Sequence, residues 1–424
     1  MNLAKPVSQK TPFFYGWIII VVSGSTLIIR NAAATLTLSI FMYPMHEDLG
    51  WSITLIAGAA SAGALASTLL SPATGWAIDK YGARNVLTTS IIVLGLTTFM
   101  TGWAVVPIFF YVTYGIGRLI FNSPIQIGSS VLVSRWFVKK RGRANGILSF
   151  CHSIGMIGFP ILSSILIVSY GWQSTWHILG IIVLIFGVLP SFLFIQETPE
   201  SINLIPDGKS DPSKSQDTNV GLQESNIWTL SRAMKTTAIW QLGVGGGLLY
   251  VIHSGVNTHI ASHIQSIGLN AGIAAAAVST NAIFTGIGGL GWGWIIERVP
   301  ARFCYAIVAG IMAISSLLFM FSETGLQAIG ISALFGISLG GMLVVPPVAI
   351  ADYFGRTSMG SIRGFTEPFY TAGQAIGAVL SGVIYDSTGD YQIAFLSMAF
   401  IGVLAILLTF SAKVPQITKE NPGS

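Results

Sequence analysis

A helix needs about 20 consecutive apolar residues to cross the hydrocarbon core of a bilayer, and this sequence supplies such a stretch twelve times. The stretches fall near 16–43, 53–78, 85–104, 107–134, 144–169, 174–195, 237–262, 271–296, 303–321, 326–351, 364–385 and 391–412. Only 9% of the 424 residues are charged, against about 25% in a soluble chain. The apolar runs are continuous rather than alternating. A backbone in lipid must also satisfy its own hydrogen bonds, so helices are expected and not strands. Runs such as GAASAGALAS and GIAAAAVSTNA bring the small residues that let helices approach closely. Lys5 and Lys10 precede the first run as in a secretory signal, but the run far exceeds the roughly 7–15 residues of a signal core. It reads as a retained first helix.

Lysine and arginine orient the spans. Lys80 and Arg84 follow span 2, and Arg135, Lys139, Lys140, Arg141 and Arg143 lie between spans 4 and 5. Lys209, Lys214, Arg232 and Lys235 lie between spans 6 and 7. Arg298 and Arg302 follow span 8, Arg356 and Arg363 follow span 10, and Lys413 and Lys419 close the chain. The connections 1–2, 3–4, 5–6, 7–8, 9–10 and 11–12 hold no lysine or arginine. The positive-inside rule therefore places both termini in the cytoplasm, with the inner (plasma) membrane as the expected location. The net charge of +5 is topological, which removes nucleic acid as a partner. Cys151 and Cys304 fall inside apolar runs without metal-ligand spacing and read as buried inert thiols. No metal or cofactor is expected.

The longest connection, Gln196–Lys235, is polar and central, and part of it is expected to be flexible. It divides the chain into an N-terminal bundle (1–195), a cytoplasmic linker (196–235) and a C-terminal bundle (236–424). Two echoes cross the linker. GWAIDKYGAR at 75–84 resembles GWIIERVPAR at 293–302, an offset of 218 residues (75 to 293). RWFVKKRGRANG, ending at Gly146, echoes DYFGRTSMGSIRG, ending at Gly364, at the same offset. One offset in two places argues for an internal duplication, as in transporters built from two halves.

The first echo, with Gly75, Asp79, Lys80, Gly82 and Arg84, resembles the signature loop of the major facilitator superfamily. The second copy departs, with Glu297 for Asp and Pro300 for the second Gly. The resemblance extends over all spans. It implies an all-α membrane protein of twelve transmembrane helices in two pseudo-symmetric six-helix bundles. It also implies a cytoplasmic gate in which Asp79 holds the N-terminal end of span 11 and Arg84 braces it, with Glu297 and Arg302 as counterparts. FYGWIII, DLGWS and RWFVKKRGRANG are similar to the bacterial monocarboxylate-porter and oxalate-exchanger group. Members of that group often carry an arginine in span 8, where this chain has Gly289.

Arg30 lies about fourteen residues inside span 1, roughly 21 Å deep at 1.5 Å per residue, too deep for easy snorkelling. With Ser23, Thr26, Ala34, Thr37 and Phe41 it forms a mildly polar helical stripe, expected to face a wet cavity. In span 4, Tyr111, Tyr114, Arg118, Asn122, Gln126 and Ser129 share one face, with Pro124 expected to bend the helix. In the superfamily it resembles, spans 1, 4, 7 and 10 line the cavity, so the two arginines would meet. Their counterparts 218 residues on (30 to 248, 118 to 336) are Leu248 and Gly336, so the charge belongs to one half. Planar guanidinium forks bind carboxylate or phosphate bidentately. The competing role for each arginine is that of a structural pin on backbone carbonyls or a carboxylate.

The C-terminal half offers Tyr250, His253 and Asn257 to a substrate's other end, with His259 and His263 expected near the outer surface. Phe335 and Ser338 are expected in the cavity wall. His152 reads equally as a packing residue or a proton carrier. Glu367 lies four residues after Arg363. It is either that arginine's partner or a cavity carboxylate that takes the proton, with Gln374 continuing its face. The reading is a secondary transporter of a small organic anion, a monocarboxylate first, working as a monomer by alternating access with proton coupling. The alternatives are exchange of dicarboxylates or phosphorylated compounds, or drug efflux, which would want an acidic cavity. A sensor would need a signalling domain, and an enzyme a nucleophile–base set or a metal cluster; neither is found.

Overall fold

The structure is a computed structural model that describes residues 12–207 and 228–416. Lys5, Lys10, Lys209, Lys214 and Lys419 lie outside the described residues. Helices account for the architecture, and no strand ladder occurs among the described residues. Eight helical stretches are long and apolar enough to cross a bilayer on those grounds. One of them, Arg141–Phe194, contains spans 5 and 6, which turn about Gly171 at φ 78°, ψ 167°. Spans 4, 7 and 11 are not among the eight, span 4 because its helix is broken into pieces of 16 and 13 residues. These are the spans that carry Arg118, His253 and the Arg363–Glu367 pair.

Spans 1 and 4 are discontinuous. Span 1 runs as an α-helix over Gly16–Ile29, tightens to a 3-10 turn over Arg30–Ala33, becomes extended at Ala34, and restarts over Thr35–Leu49. The break frees backbone groups at mid-depth, and side chains take them up. The Tyr114 hydroxyl donates to Ala33 O and Ala34 O, and Thr37 Oγ1 donates to Asn31 O. Asn31 Nδ2 donates to Leu27 O and Ile28 O. Irregular backbone at membrane depth is tolerated on that condition. Span 4 breaks at Ser123, between helices Pro107–Asn122 and Pro124–Trp136. The bend expected at Pro124 is therefore a one-residue interruption at Ser123, at φ −115° and ψ −75°, since proline cannot donate the next intrahelical hydrogen bond.

The continuous stripe expected along span 1 does not exist as one face, because the break changes the helical phase. Ser23, Thr26, Thr37 and Phe41 are fully buried. Thr26 Oγ1 meets Ser129 Oγ at 3.0 Å, and Phe41 stacks on Trp176 at 4.0 Å. They build the N-terminal bundle rather than line a cavity. Phe335 and Ser338 are likewise fully buried, in the packing of the C-terminal bundle and not in a cavity wall. Cys304 is buried and Cys151 only half-buried.

The buried apolar residues form two clusters. One draws on residues 15–204 together with Ala351 and Met359, the other on 233–412. The halves meet where the two echoes meet. Gly75 lies against the backbone of Gly360 and Gly364, and Gly293 lies against Gly142. Since 142 and 360 are separated by the repeat offset, each half's signature loop packs on the other half's copy of the second echo. A side chain at Gly75 or Gly142 would collide with backbone of the opposite half. Thr68 and Thr371 join by hydroxyls at 2.8 Å. On the far side of that pair from the basic loops, no hydrogen bond or ion pair joins the halves among the described residues. The halves are thus closed on the face that carries the basic loops.

Candidate functional site

Two guanidinium groups from the N-terminal half converge at mid-depth. Arg30 is 4% exposed and Arg118 8%. Their Cζ atoms lie 4.4 and 4.5 Å from the same Phe121 ring centroid, within cation–π range. Arg30 Nη1 donates to Phe121 O at 2.8 Å, and Nη2 meets His152 Nδ1 at 3.3 Å. Phe121 O is available because it belongs to the last turn before the break at Ser123. Neither arginine forms an ion pair with a carboxylate of the described residues. Arg30 Nε and Arg118 Nε are enclosed and unpartnered. A buried cation without a counter-charge is costly.

The other members of the span 4 face divide in two. Tyr111 donates to Leu55 O and Tyr114 closes the span 1 break, so both hydroxyls are committed to the bundle. Asn122 and Gln126 are half-buried. Gln126 lines a small cavity with Arg30, His152 and Ser149 on one side and Leu343 and Pro347 of span 10 on the other.

Across the interface, Tyr250 stacks on Tyr370 with centroids 5.2 Å apart and planes at 7°. His253 stands edge-on to Tyr250 at 6.2 Å, its Nδ1 enclosed and unpartnered. Asn257 is half-buried near the end of span 7. Tyr250 and Glu367 are near enough for their electrostatics to reach Arg30. Glu367 Oε2 lies 3.1 Å from Arg363 Nη2, and both side chains are 5% exposed or less. The distance makes an ion pair, but its alignment is too poor for a hydrogen bond: Arg363 Nε and Nη1, and Glu367 Oε2, remain unpartnered. Glu367 is thus paired with Arg363 and within electrostatic reach of Arg30. Gln374 is half-buried. His263 is buried, bonded to Phe319 O and packed on Phe395 at 4.9 Å. His259 bonds Ala378 O.

At the basic face, Asp79 accepts from Gly360 N at 3.0 Å and from Ser361 N and Oγ at 2.7 Å. These groups stand at the N-terminal end of the span 11 helix, Met359–Thr388, where a carboxylate is favoured. Glu297 does the same in the opposite direction, accepting from Arg143 N at 2.9 Å and pairing with Arg143 Nε at 2.9 Å. The longer carboxylate of the second copy thus fills the same place as the first. Arg84 does not brace Asp79. Its guanidinium donates to Phe192 O, while Arg135, which the sequence pattern did not single out, reaches Asp79 at 3.2 Å and Glu197 at 2.8 Å. Glu197 also accepts from Ala83 N and Arg84 N, beside Gly82, whose φ of +89° turns the chain there. Arg302 sits away from Glu297, in a recess of about 330 Å³ with Asp352 and Tyr353. Arg141–Asp352 at 2.9 Å and Arg356–Glu200 at 2.6 Å add to the closure.

A sequence profile described as Major Facilitator Superfamily matches residues 22–365 and again 242–424. The oxalate:formate antiporter of Oxalobacter formigenes is 25% identical over 383 residues, covering 87% of this chain and 85% of that one. Monocarboxylate transporter 12 of Xenopus laevis is 23% identical over 448 residues, covering 100% and 94%. Among solved structures, the transporter FucP in its outward conformation superposes with a TM-score of 0.70 at 16% identity, covering 94% of this chain and 100% of that one. The human organic anion transporter MFSD10 gives 0.70 at 15% identity, covering 93% and 99%. At such identities the structural likeness speaks for the fold alone. With the profile matched across both halves, this chain belongs to the Major Facilitator Superfamily and is a multi-pass membrane protein of two six-helix bundles.

Proposed function

We propose that the protein is a secondary active transporter of a small organic anion, a monocarboxylate first, that works by alternating access. The carrying observation is the pair Arg30 and Arg118: two buried guanidinium groups beside one aromatic ring, with no carboxylate of the described residues paired to either. An anionic substrate supplies the missing counter-charge. Asn122, Gln126, Tyr250, His253 and Asn257 are the polar groups placed to meet its remaining atoms, and Tyr114 serves the site by holding the span 1 break. The names of the oxalate:formate and monocarboxylate relatives point the same way. The basic face is assigned to the cytoplasm of the inner membrane with both termini there, and the protein acts as a monomer. The gate closed in this structure, with Gly75, Asp79, Gly82, Arg84, Glu297 and Arg302 around it, is then the cytoplasmic one.

An anion entering a negative-inside cell works against about 2.3 kcal/mol per charge per 100 mV. A proton travelling with it offsets that, and Glu367 is the carboxylate placed to take one. Exchange of one anion for another is the second reading, favoured by the ion pair that already occupies Glu367. Uptake of a panel of mono- and dicarboxylates into proteoliposomes, with and without a pH gradient, tests both. Accumulation driven by the gradient supports symport, and uptake only into anion-loaded vesicles supports exchange. Transport of cations but of no anion overturns the assignment.

A further inference from the structure

The contact between Arg30 Nη2 and His152 Nδ1, at 3.3 Å, settles more than a neighbourhood. A guanidinium nitrogen has hydrogens to give and no lone pair to accept with. Nδ1 is therefore the acceptor, and a ring that accepts at Nδ1 is neutral and carries its hydrogen on Nε2. An imidazolium would set N–H against N–H. The charged and titratable groups facing the ring are Arg30 of span 1, Arg118 of span 4 and His253 of span 7. None of them offers a negative charge that would hold a proton on Nδ1. Span 10 contributes Leu343 and Pro347 to the same cavity, and span 8 lies near as Gly286 against Ser153. Both are uncharged. His152 is half-buried and lines that cavity with Arg30, and no acceptor among the described residues meets its Nε2.

We infer that His152 is a fixed neutral positioning residue: Nδ1 steadies the Arg30 guanidinium, and the Nε2 hydrogen is presented to the anion that Arg30 binds. It serves recognition in two ways, accepting from Arg30 at Nδ1 to fix the guanidinium and donating directly from Nε2, and it carries no proton across the membrane. Such an arrangement selects substrates with a lone pair beside the carboxylate bound by Arg30. The inference rests on the reading of Arg30 as a substrate arginine, and two measurements keep the failures apart.

The first needs no substrate. Full-length protein labelled with nitrogen-15 histidine in bilayers is examined by solid-state NMR, with the His152 signals assigned by difference against His152→Asn. The expected result is an unprotonated Nδ1 and a protonated Nε2 throughout the range from about pH 5 to 8 in which free histidine titrates. A protonated Nδ1, in either the other tautomer or the imidazolium, overturns the inference. The second is uptake of radiolabelled lactate and oxalate into proteoliposomes. His152→Phe removes both nitrogens and should raise KM by tenfold or more. His152→Asn keeps an acceptor for Arg30 and should raise it less, with the stimulation by a pH gradient retained in proportion. Wild-type KM in His152→Phe, or loss of gradient-driven uptake with exchange intact in His152→Asn, overturns the inference. Wild-type uptake by Arg30→Gln sinks the substrate reading instead, and the tautomer measurement still stands or falls by itself.

Discussion

Replacing Asp79 by alanine should open the basic face. The carboxylate accepts three hydrogen bonds from the first turn of span 11, at 3.0, 2.7 and 2.7 Å, and a fourth contact from Arg135 at 3.2 Å. The first three cross between the halves and exist only while that face is closed. Hydrogen bonds to a charged group contribute roughly 1.5–3 kcal/mol each, not additively, and the Asp79 side chain is 17% exposed. A loss of about 3 kcal/mol is reasonable, which moves the open-to-closed ratio by roughly two powers of ten. The assay is the rate at which an impermeant maleimide, added from the basic-face side, labels Gln126→Cys after Cys151 and Cys304 have been replaced. Gln126 lines the small cavity that also holds Arg30 and His152. Labelling should accelerate strongly in Asp79→Ala, and further when Glu297→Ala removes the mirror-image clasp on Arg143. A labelling rate within about twofold of the parent would refute the argument, because it would mean the clasp does not set the equilibrium.

Other outcomes follow from the same geometry. Arg30→Gln and Arg118→Gln should each weaken anion binding by at least tenfold, checked by calorimetry with the carboxylates that are transported; unchanged affinity removes that arginine from the site. Gly75→Val should hold the basic face open, since a side chain there meets the backbone of Gly360, and the same labelling assay reads it. Tyr114→Phe leaves Ala33 O without its hydroxyl donor and Ala34 O with the Leu38 amide alone and should cost about 1–3 kcal/mol of stability, seen as a lowered Tm. The Arg356–Glu200 contact should depend on pH in one direction. Burial raises the Glu200 carboxyl pKa, but the Arg356 hydrogen bond and charge, with hydrogen bonds from the Glu200 backbone and Thr198, together outweigh it and hold the group below its ordinary value. Its support for the closed face is therefore complete at neutral pH and lost as pH falls through that depressed value. Glu200→Gln should remove the acid-induced part of the opening.

The sequence by itself determined the twelve crossings, the duplication and the two arginines, because each is a one-dimensional signal. Hydropathy is summed along the chain, the repeat is an offset, and a guanidinium inside an apolar run stands out whatever surrounds it. It also led to Asp79 at the end of span 11, through the signature loop. What it did not reveal was geometry that depends on a second segment. The span 1 break rests on Tyr114, eighty residues away from Ala34, and moves Thr26, Thr37 and Phe41 from an expected cavity into packing. Arg135 rather than Arg84 reaches Asp79 because it stands in the last turn of span 4, where Glu197 holds the other side of its guanidinium. The state of His152 follows from one contact with a helix more than a hundred residues earlier. A periodic pattern specifies which face of a helix is apolar, but only tertiary structure decides which partner satisfies a buried polar atom, since that partner lies anywhere in the chain.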